Sequence, residues 1–316
     1  MKKSLIILSI LFTFSAYGQN ISSLLDSVDK YIVFDPKKAL DFGFQALKLN
    51  NTGAVSTDIR DINSSIGQML FFSKNYTKSI DYYTNSIKIH QLIPKSERKH
   101  PNVNKPPWVL VGLGNLYLNT NNYGKSIENY EEAIENFNLY EKWDSLESSF
   151  GISTSESNLA IVYSKSENFK QAELYFKKSL KRRGKIDKKS NLMFQYMLMI
   201  DFYFQFEKEE LGLYYFDLAQ KLFLNENQNK RIDSEIKIWY AYVLTVYGSH
   251  LTNKKEFKKA LTLLNQGKEL SFGLVLNLDH MPNIDLELAN CLIQLKRYDE
   301  SEKVLLDGIN FSSSDE

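Results

Sequence analysis

The chain has 316 residues and balances 39 Lys plus Arg against 38 Asp plus Glu, a net charge of +1, so no global field draws it onto nucleic acid or anionic lipid. Hydrophobic residues make up 43% and aromatic residues 13%, enough for a core filled with rings. Only 14 Gly and 6 Pro are present, which leaves little room for a β-sandwich or a disordered linker.

From the amino terminus, residues 1–18 stand apart. Lys2 and Lys3 precede an apolar run from Leu5 to Phe14, followed by Ala16-Tyr17-Gly18, small residues flanking a large one. This is the pattern of a secretory signal peptide, too short in its apolar run to span a bilayer. Cleavage is predicted after Gly18, which leaves Gln19 first and a net charge of −1. The product is then exported, either periplasmic or secreted. The residue directly after the cleavage point is Gln19 and not Cys, so no lipid anchor is predicted. No later stretch has eighteen consecutive apolar residues, so no integral membrane segment is predicted either. The lone cysteine, Cys291, reads as a small buried hydrophobe.

Downstream, a small residue recurs at Ala39, Ser79, Ser126, Ala172, Gly212, Ala260 and Ser301. A second small residue lies twelve positions earlier at Gly67, Gly114, Ala160, Gly248 and Ala289. Self-similarity of this kind marks a stacked repeat. Each unit reads as two amphipathic helices. Between Trp108 and Phe137, the first helix carries Val109, Leu110, Leu113, Leu116 and Tyr117. The second carries Tyr123, Ile127, Tyr130, Ala133, Ile134 and Phe137 at the same helical period. Asn119-Thr120-Asn121-Asn122 punctuates the pair with capping and turn residues. The small residues mark where two helices cross closely. Ile93 to Pro107, with four prolines, reads as a loop, whereas the extra length at Phe137 to Asp144 reads as a longer second helix.

The segments Asn122 to Ala133, Asn168 to Ser179 and Asn75 to Ser86, with their small–aromatic–small series, resemble the tetratricopeptide repeat. An aromatic three before the anchor recurs at Tyr76, Tyr123, Phe169, Phe257 and Tyr298; Glu209 and Pro36 replace it in two units. The resemblance implies an all-α fold, a right-handed superhelical α-solenoid of about seven helix pairs over residues 19–316. Anchor spacings of 40 to 48 exceed the family's usual repeat of about 34 residues. Such extended units are similar to the extracytoplasmic sensing regions of bacterial tetratricopeptide regulators.

In this family first helices line a concave groove that holds extended peptides. The resemblance places Gln68, Asn115, Ile161, Asp201, Ser249 and Asn290 on that surface, with Trp108, Asn119, Asn158 and Phe194 nearby. Five of those first six are polar, and amides both donate to and accept from a peptide backbone. The alternative is that Asn115 and Asn158 bond neighbouring helices. A lysine clamp for carboxyl termini is not expected, because Ser64, Val111, Ser157, Met197, Thr245 and Leu286 occupy the positions such a clamp needs.

Two further surfaces stand out. Lys177, Lys178, Lys181, Arg182, Arg183 and Lys185 form a basic run, either a docking patch for an acidic partner or the solvated end of a second helix. Leu305, Leu306, Ile309 and Phe311 are expected on a final helix whose apolar face lies uncovered, open to self-association or a partner. The four histidines have no metal-ligand spacing, and no P-loop, dinucleotide fingerprint or nucleophile elbow occurs. The expectation is a non-enzymatic, cofactor-free scaffold for a protein or peptide. The alternative is a sensor domain detached from a signalling regulator.

Overall fold

The computed structural model describes residues 20–32, 35–50, 53–140, 142, 144–186, 188–228, 232–271 and 283–313, with side chains in the last stretch as far as Gly308. The predicted leader, residues 1–18, lies outside this set. Fourteen α-helices run through the described residues, with one short 3₁₀ turn at Lys95–Glu97 and no strand. They are α1 (Ile21–Tyr31), α2 (Pro36–Leu49), α3 (Thr57–Phe72), α4 (Tyr76–Leu92), α5 (Pro107–Asn119), α6 (Tyr123–Asn138) and α7 (Ser145–Lys165). Then follow α8 (Phe169–Arg183), α9 (Lys189–Gln205), α10 (Glu209–Asn227), α11 (Ser234–Asn253), α12 (Phe257–Ser271), α13 (Ile284–Gln294) and α14 (Tyr298–Ser313). Taken two at a time they make seven pairs, an all-α array of the predicted kind. Every anchor falls on the second helix of its pair.

The link inside a pair is a repeated device. Lys74, Asn121, Glu167, Glu207, Lys255 and Lys296 each adopt a left-handed backbone, with φ between 56° and 65°. Each sits five residues before its anchor. The next N–H reaches back to a carbonyl of the first helix's last turn, as in Asn75 to Leu70 and Asn122 to Tyr117, both at 2.8 Å. This Schellman geometry satisfies carbonyls that the helix end would otherwise orphan. In α6 and α8 the following residue, Asn122 or Asn168, caps the second helix with its side chain.

The twelve-residue spacing has a bonded cause. The hydroxyls of Ser79, Ser126 and Ser301 donate to the carbonyls of Gly67, Gly114 and Ala289 at 2.5, 2.8 and 3.1 Å. The small first-helix residue makes room for a large side chain four after the anchor. A Cβ on Gly114 would run into the Tyr130 ring, and one on Gly248 would meet Leu264 at 2.7 Å. The pair α9–α10 inverts this arrangement: Ile200 is the large residue, the anchor is Gly212, and Phe204 packs where a Cβ on Gly212 would lie.

Packing divides the chain into two compact units, one up to Val162 and one from Tyr163, with the boundary inside α7. In the first, Leu24, Val28, Ala39, Ala46, Ile62 and Ile66 form the core of α1, α2 and α3. In the second, Leu251, Ala260, Leu264, Leu288 and Cys291 join α11, α12 and α13; Cys291 is buried as expected.

Two expectations are corrected. The second helix α6 stops at Asn138, and the first helix after it, α7, takes 21 residues; elsewhere both kinds are long, 20 residues in α11 and 19 in the second helix α10. Pro107 belongs to α5 rather than to the loop before it, because the missing N–H of proline costs nothing at a first helical position. The loop itself is stapled by buried Arg98, which donates to the carbonyls of Gln91, Ile93 and Val103.

Candidate functional site

The first helices α5 and α9 each present an open stripe. Counting from the small-residue position, the residues at −6, −2, +1 and +5 fall on one face, while −3, 0 and +4 turn inward. On α5 the stripe is Trp108, Gly112, Asn115 and Asn119, and on α9 it is Phe194, Leu198, Asp201 and Gln205; all are half-buried or exposed. The corresponding +4 residues, Leu118 and Phe204, are buried.

In the first unit the predicted residues are drawn together. Asn115 Oδ1 accepts from Tyr130 Oη at 2.6 Å and from Asn158 Nδ2 at 3.1 Å. Asn119 Nδ2 donates to the Asn115 carbonyl at 3.1 Å. Burial pushes the Tyr130 phenol far above its usual range, so it remains a donor. The bridge between neighbouring helices, raised as an alternative for these amides, is thus present. It leaves Asn115 Nδ2 and Asn158 Oδ1 without a partner among the described residues, on half-buried side chains. Trp108 packs edge-on against Phe137 at 4.9 Å, and its indole N–H donates to Glu147 at 3.2 Å. Gln68 is exposed and takes no part in this cluster.

In the second unit Phe194 lies 4.7 Å from Trp239, which neighbours Tyr242 at 5.9 Å. Asp201 accepts from Gln205 Nε2 at 2.8 Å. Protein surrounds its carboxyl closely though water still reaches it, and desolvation, with Glu287 adding repulsion, pushes its pKa up to about 6 despite Gln205 and Lys165. Ser249 and Asn290 make no side-chain hydrogen bond among the described residues. Sequence reasoning missed Tyr130, Glu147, Gln205, Trp239 and Glu287. Extending the stripe by one helical turn from each predicted position would have found Gln205.

The basic run is thinner than its sequence implies. Arg183 is 3% exposed and is no part of a surface patch. It lies eleven residues after Ala172, on the buried side of α8, where its guanidinium covers the Phe194 ring at 5.2 Å and Nε donates to Ser179. Lys177 pairs with Glu173 at 2.9 Å, and Lys178 lies 4.6 Å from the centroid of the Tyr175 ring. Lys181 and Lys185 are exposed, and Arg182 is half-buried.

At the other predicted surface, Leu305 is half-buried and Leu306 exposed. Leu306 occupies the outward register filled by Glu131, Lys177, Asp217 and Asn265 in other pairs, all exposed. Ile309 and Phe311 lie outside the described side chains.

A cavity of about 650 Å³ lies among α2, α3 and α4, lined by Leu40, Phe44, Leu47 and Tyr82, away from the stripe. Among the described residues no group of three or more His, Cys, Asp or Glu is placed to hold a metal, and no helix is long and apolar enough to cross a membrane.

Helix pairs with an open first-helix face define a class of repeat scaffold. Residues 109–136 and 154–186 each match the tetratricopeptide repeat, and the chain is a tetratricopeptide-repeat protein. Among solved structures it is similar to a Rap protein complexed with competence and sporulation factor, at 12% identity and TM-score 0.59, covering 98% of this chain and 91% of that one. It is also similar to the Rap conjugation gene regulator of plasmid pLS20 in complex with the Phr* peptide, at 15% identity and TM-score 0.55, covering 90% and 83%. A third similar structure is the Cut9–Hcn1 hetero-tetramer of the APC/C, at 12% identity and TM-score 0.54, covering 92% and 46%. At these identities the likeness concerns the fold. No curated protein matches the sequence.

Proposed function

We propose that this protein is a non-catalytic scaffold that binds an extended peptide, free or part of a protein, along the open face of its first helices. The observation that carries this reading is the Asn115–Asn158 pair. One amide holds the other, and Tyr130 fixes both. What remains is the Asn115 Nδ2 amide group as donor and the Asn158 Oδ1 carbonyl as acceptor, on neighbouring helices. A peptide group needs that complement, whatever its side chain, so the pair suits sequence-tolerant recognition. The amides are already oriented, which reduces the ordering cost of binding. The two Rap structures, each with a peptide or factor bound, support this use of the fold.

The leader pattern of Lys2, Lys3, Leu5 to Phe14 and Ala16-Tyr17-Gly18 supports export with cleavage near Gly18, to the periplasm or beyond the cell. The same Rap likeness favours a second reading, a peptide-responsive sensor domain that acts on a separate signalling protein.

The test screens the purified protein against arrayed synthetic peptides and compares Asn158→Ala with wild type. The substitution leaves the Tyr130–Asn115 bond in place, so circular dichroism should be unchanged. Affinity for captured peptides is expected to fall about tenfold, roughly 1.4 kcal/mol. Equal affinity in the variant removes the amide pair from the binding site.

A further inference from the structure

The proline-rich loop between α4 and α5 is tied down at two points. Val103 is buried, and its carbonyl accepts from His90 Nε2 at 3.0 Å and from Arg98 at 3.3 Å, which ties the loop to α4. Asn104 and Lys105 donate their backbone N–H groups to Asn136 Oδ1, both at 3.2 Å, which ties it to α6. The first tie depends on a proton count. On its other side the His90 ring meets Arg60, with Nδ1 3.4 Å from Nη1. A guanidinium offers only donors, so Nδ1 is the acceptor and the one ring proton lies on Nε2. His90 is 4% exposed and is held neutral, in one tautomer, by partners at both nitrogens.

Protonation would undo this tie. It sets an N–H on Nδ1 against the N–H of Arg60 and puts a positive ring beside two guanidinium groups. The charged groups that face His90 are Arg60 and Asp61 from α3 and Arg98 from the loop. Asp61 already accepts two hydrogen bonds from Arg60, at 2.6 and 2.8 Å, so it compensates little. We propose that His90 is an acid-sensitive latch, whose protonation releases the loop from α4 and loosens the link between the second and third helix pairs. Burial, with Arg60 and Arg98, holds the latched ring below its ordinary pKa of 6.5, although the bond to Val103 and the charge of Asp61 act the other way. Once the loop lifts, water reaches the ring and the ordinary value returns. Between the two values the released loop holds a proton that the latched loop lacks. The latch is therefore fully favourable above pH 6.5. It weakens as pH falls through that window, by up to about tenfold per pH unit.

Hydrogen exchange on the full chain, corrected for the intrinsic rate at each pH, tests this. Between about pH 7.5 and about pH 5 the amides of Val103, Asn104 and Lys105 should lose about tenfold in protection, while Asn122, in the turn of the third pair, should hold its own. His90→Gln keeps a donor and an acceptor but has no titrating proton, so its loop should stay protected at both pH values. His100→Gln, at the loop's other histidine, should respond to acid as wild type does. Independently of any variant, nitrogen NMR of the labelled histidines should place the His90 proton on Nε2 at neutral pH and its titration midpoint below 6.5. Wild-type protection that ignores pH, a His90→Gln loop that opens in acid, a His100→Gln loop that no longer does, or a His90 ring protonated on Nδ1 at neutral pH would each overturn the proposal.

Discussion

The first-helix faces of the two units handle polar groups in opposite ways. On α5 and α7 the amides of Asn115 and Asn158 meet, and a buried phenol completes the set. On α9 the carboxyl of Asp201 has Gln205 as its hydrogen-bond partner, and its surroundings favour the protonated form. The first face is organised before any ligand arrives. The second carries a carboxyl whose ionised form burial disfavours.

The largest expected effect comes from breaking the support of the first face. Gly114→Ala drives a methyl into the Tyr130 ring, and overpacking of this kind costs about 1–3 kcal/mol. Urea unfolding should show the loss. The change also pushes the Tyr130 hydroxyl off Asn115, so peptide affinity should fall with stability.

Asp201→Asn sharpens the contrast from the other side. The folded carboxyl titrates at about 6 against 3.8 ordinarily, so between those values the native state holds a proton that the unfolded chain has released. Stability therefore falls as pH rises through that window, and the penalty is complete above it. The amide removes the penalty. The variant should be more stable than wild type by about 1 kcal/mol near neutral pH, the water that still reaches the site keeping the gain well below the full shift. The gain should vanish below pH 3.8. Thermal melts at the two extremes of pH measure it, and an equal gain at both would mean that ionisation is not the cause.

The smallest effect belongs to the turns that both units share. Lys74→Gly in the first and Lys255→Gly in the second relieve a left-handed backbone at a non-glycine residue. Each should raise stability by up to about 1 kcal/mol, and similar gains would show that the units differ in their faces, not in their framework.

Much of the framework was legible in the sequence because steric limits leave residue-level marks. Gly114 had to be small for Tyr130, and Ser126 had to carry a hydroxyl within reach of the Gly114 carbonyl. The turns were legible only at Asn121, since Lys and Glu in a left-handed backbone carry no signature of their own. Arg183 was misread because neighbours in sequence were counted as neighbours in space; its eleven-residue offset from Ala172, three turns of helix, pointed inward. The bond between Asn115 and Asn158 was not predictable residue by residue. It depends on how two first helices are set against each other, a register that no single repeat encodes.

The serine clasp has a consequence for how the protein comes to be folded. Each hydroxyl-to-carbonyl closure spans twelve residues of chain, and the turn it flanks closes over fewer. Contacts so near in sequence make small demands on chain entropy and go with rapid folding. A nascent or newly unfolded molecule can gain its first hairpin of helices wherever one happens to close, and structure then spreads to the adjoining turns of the array.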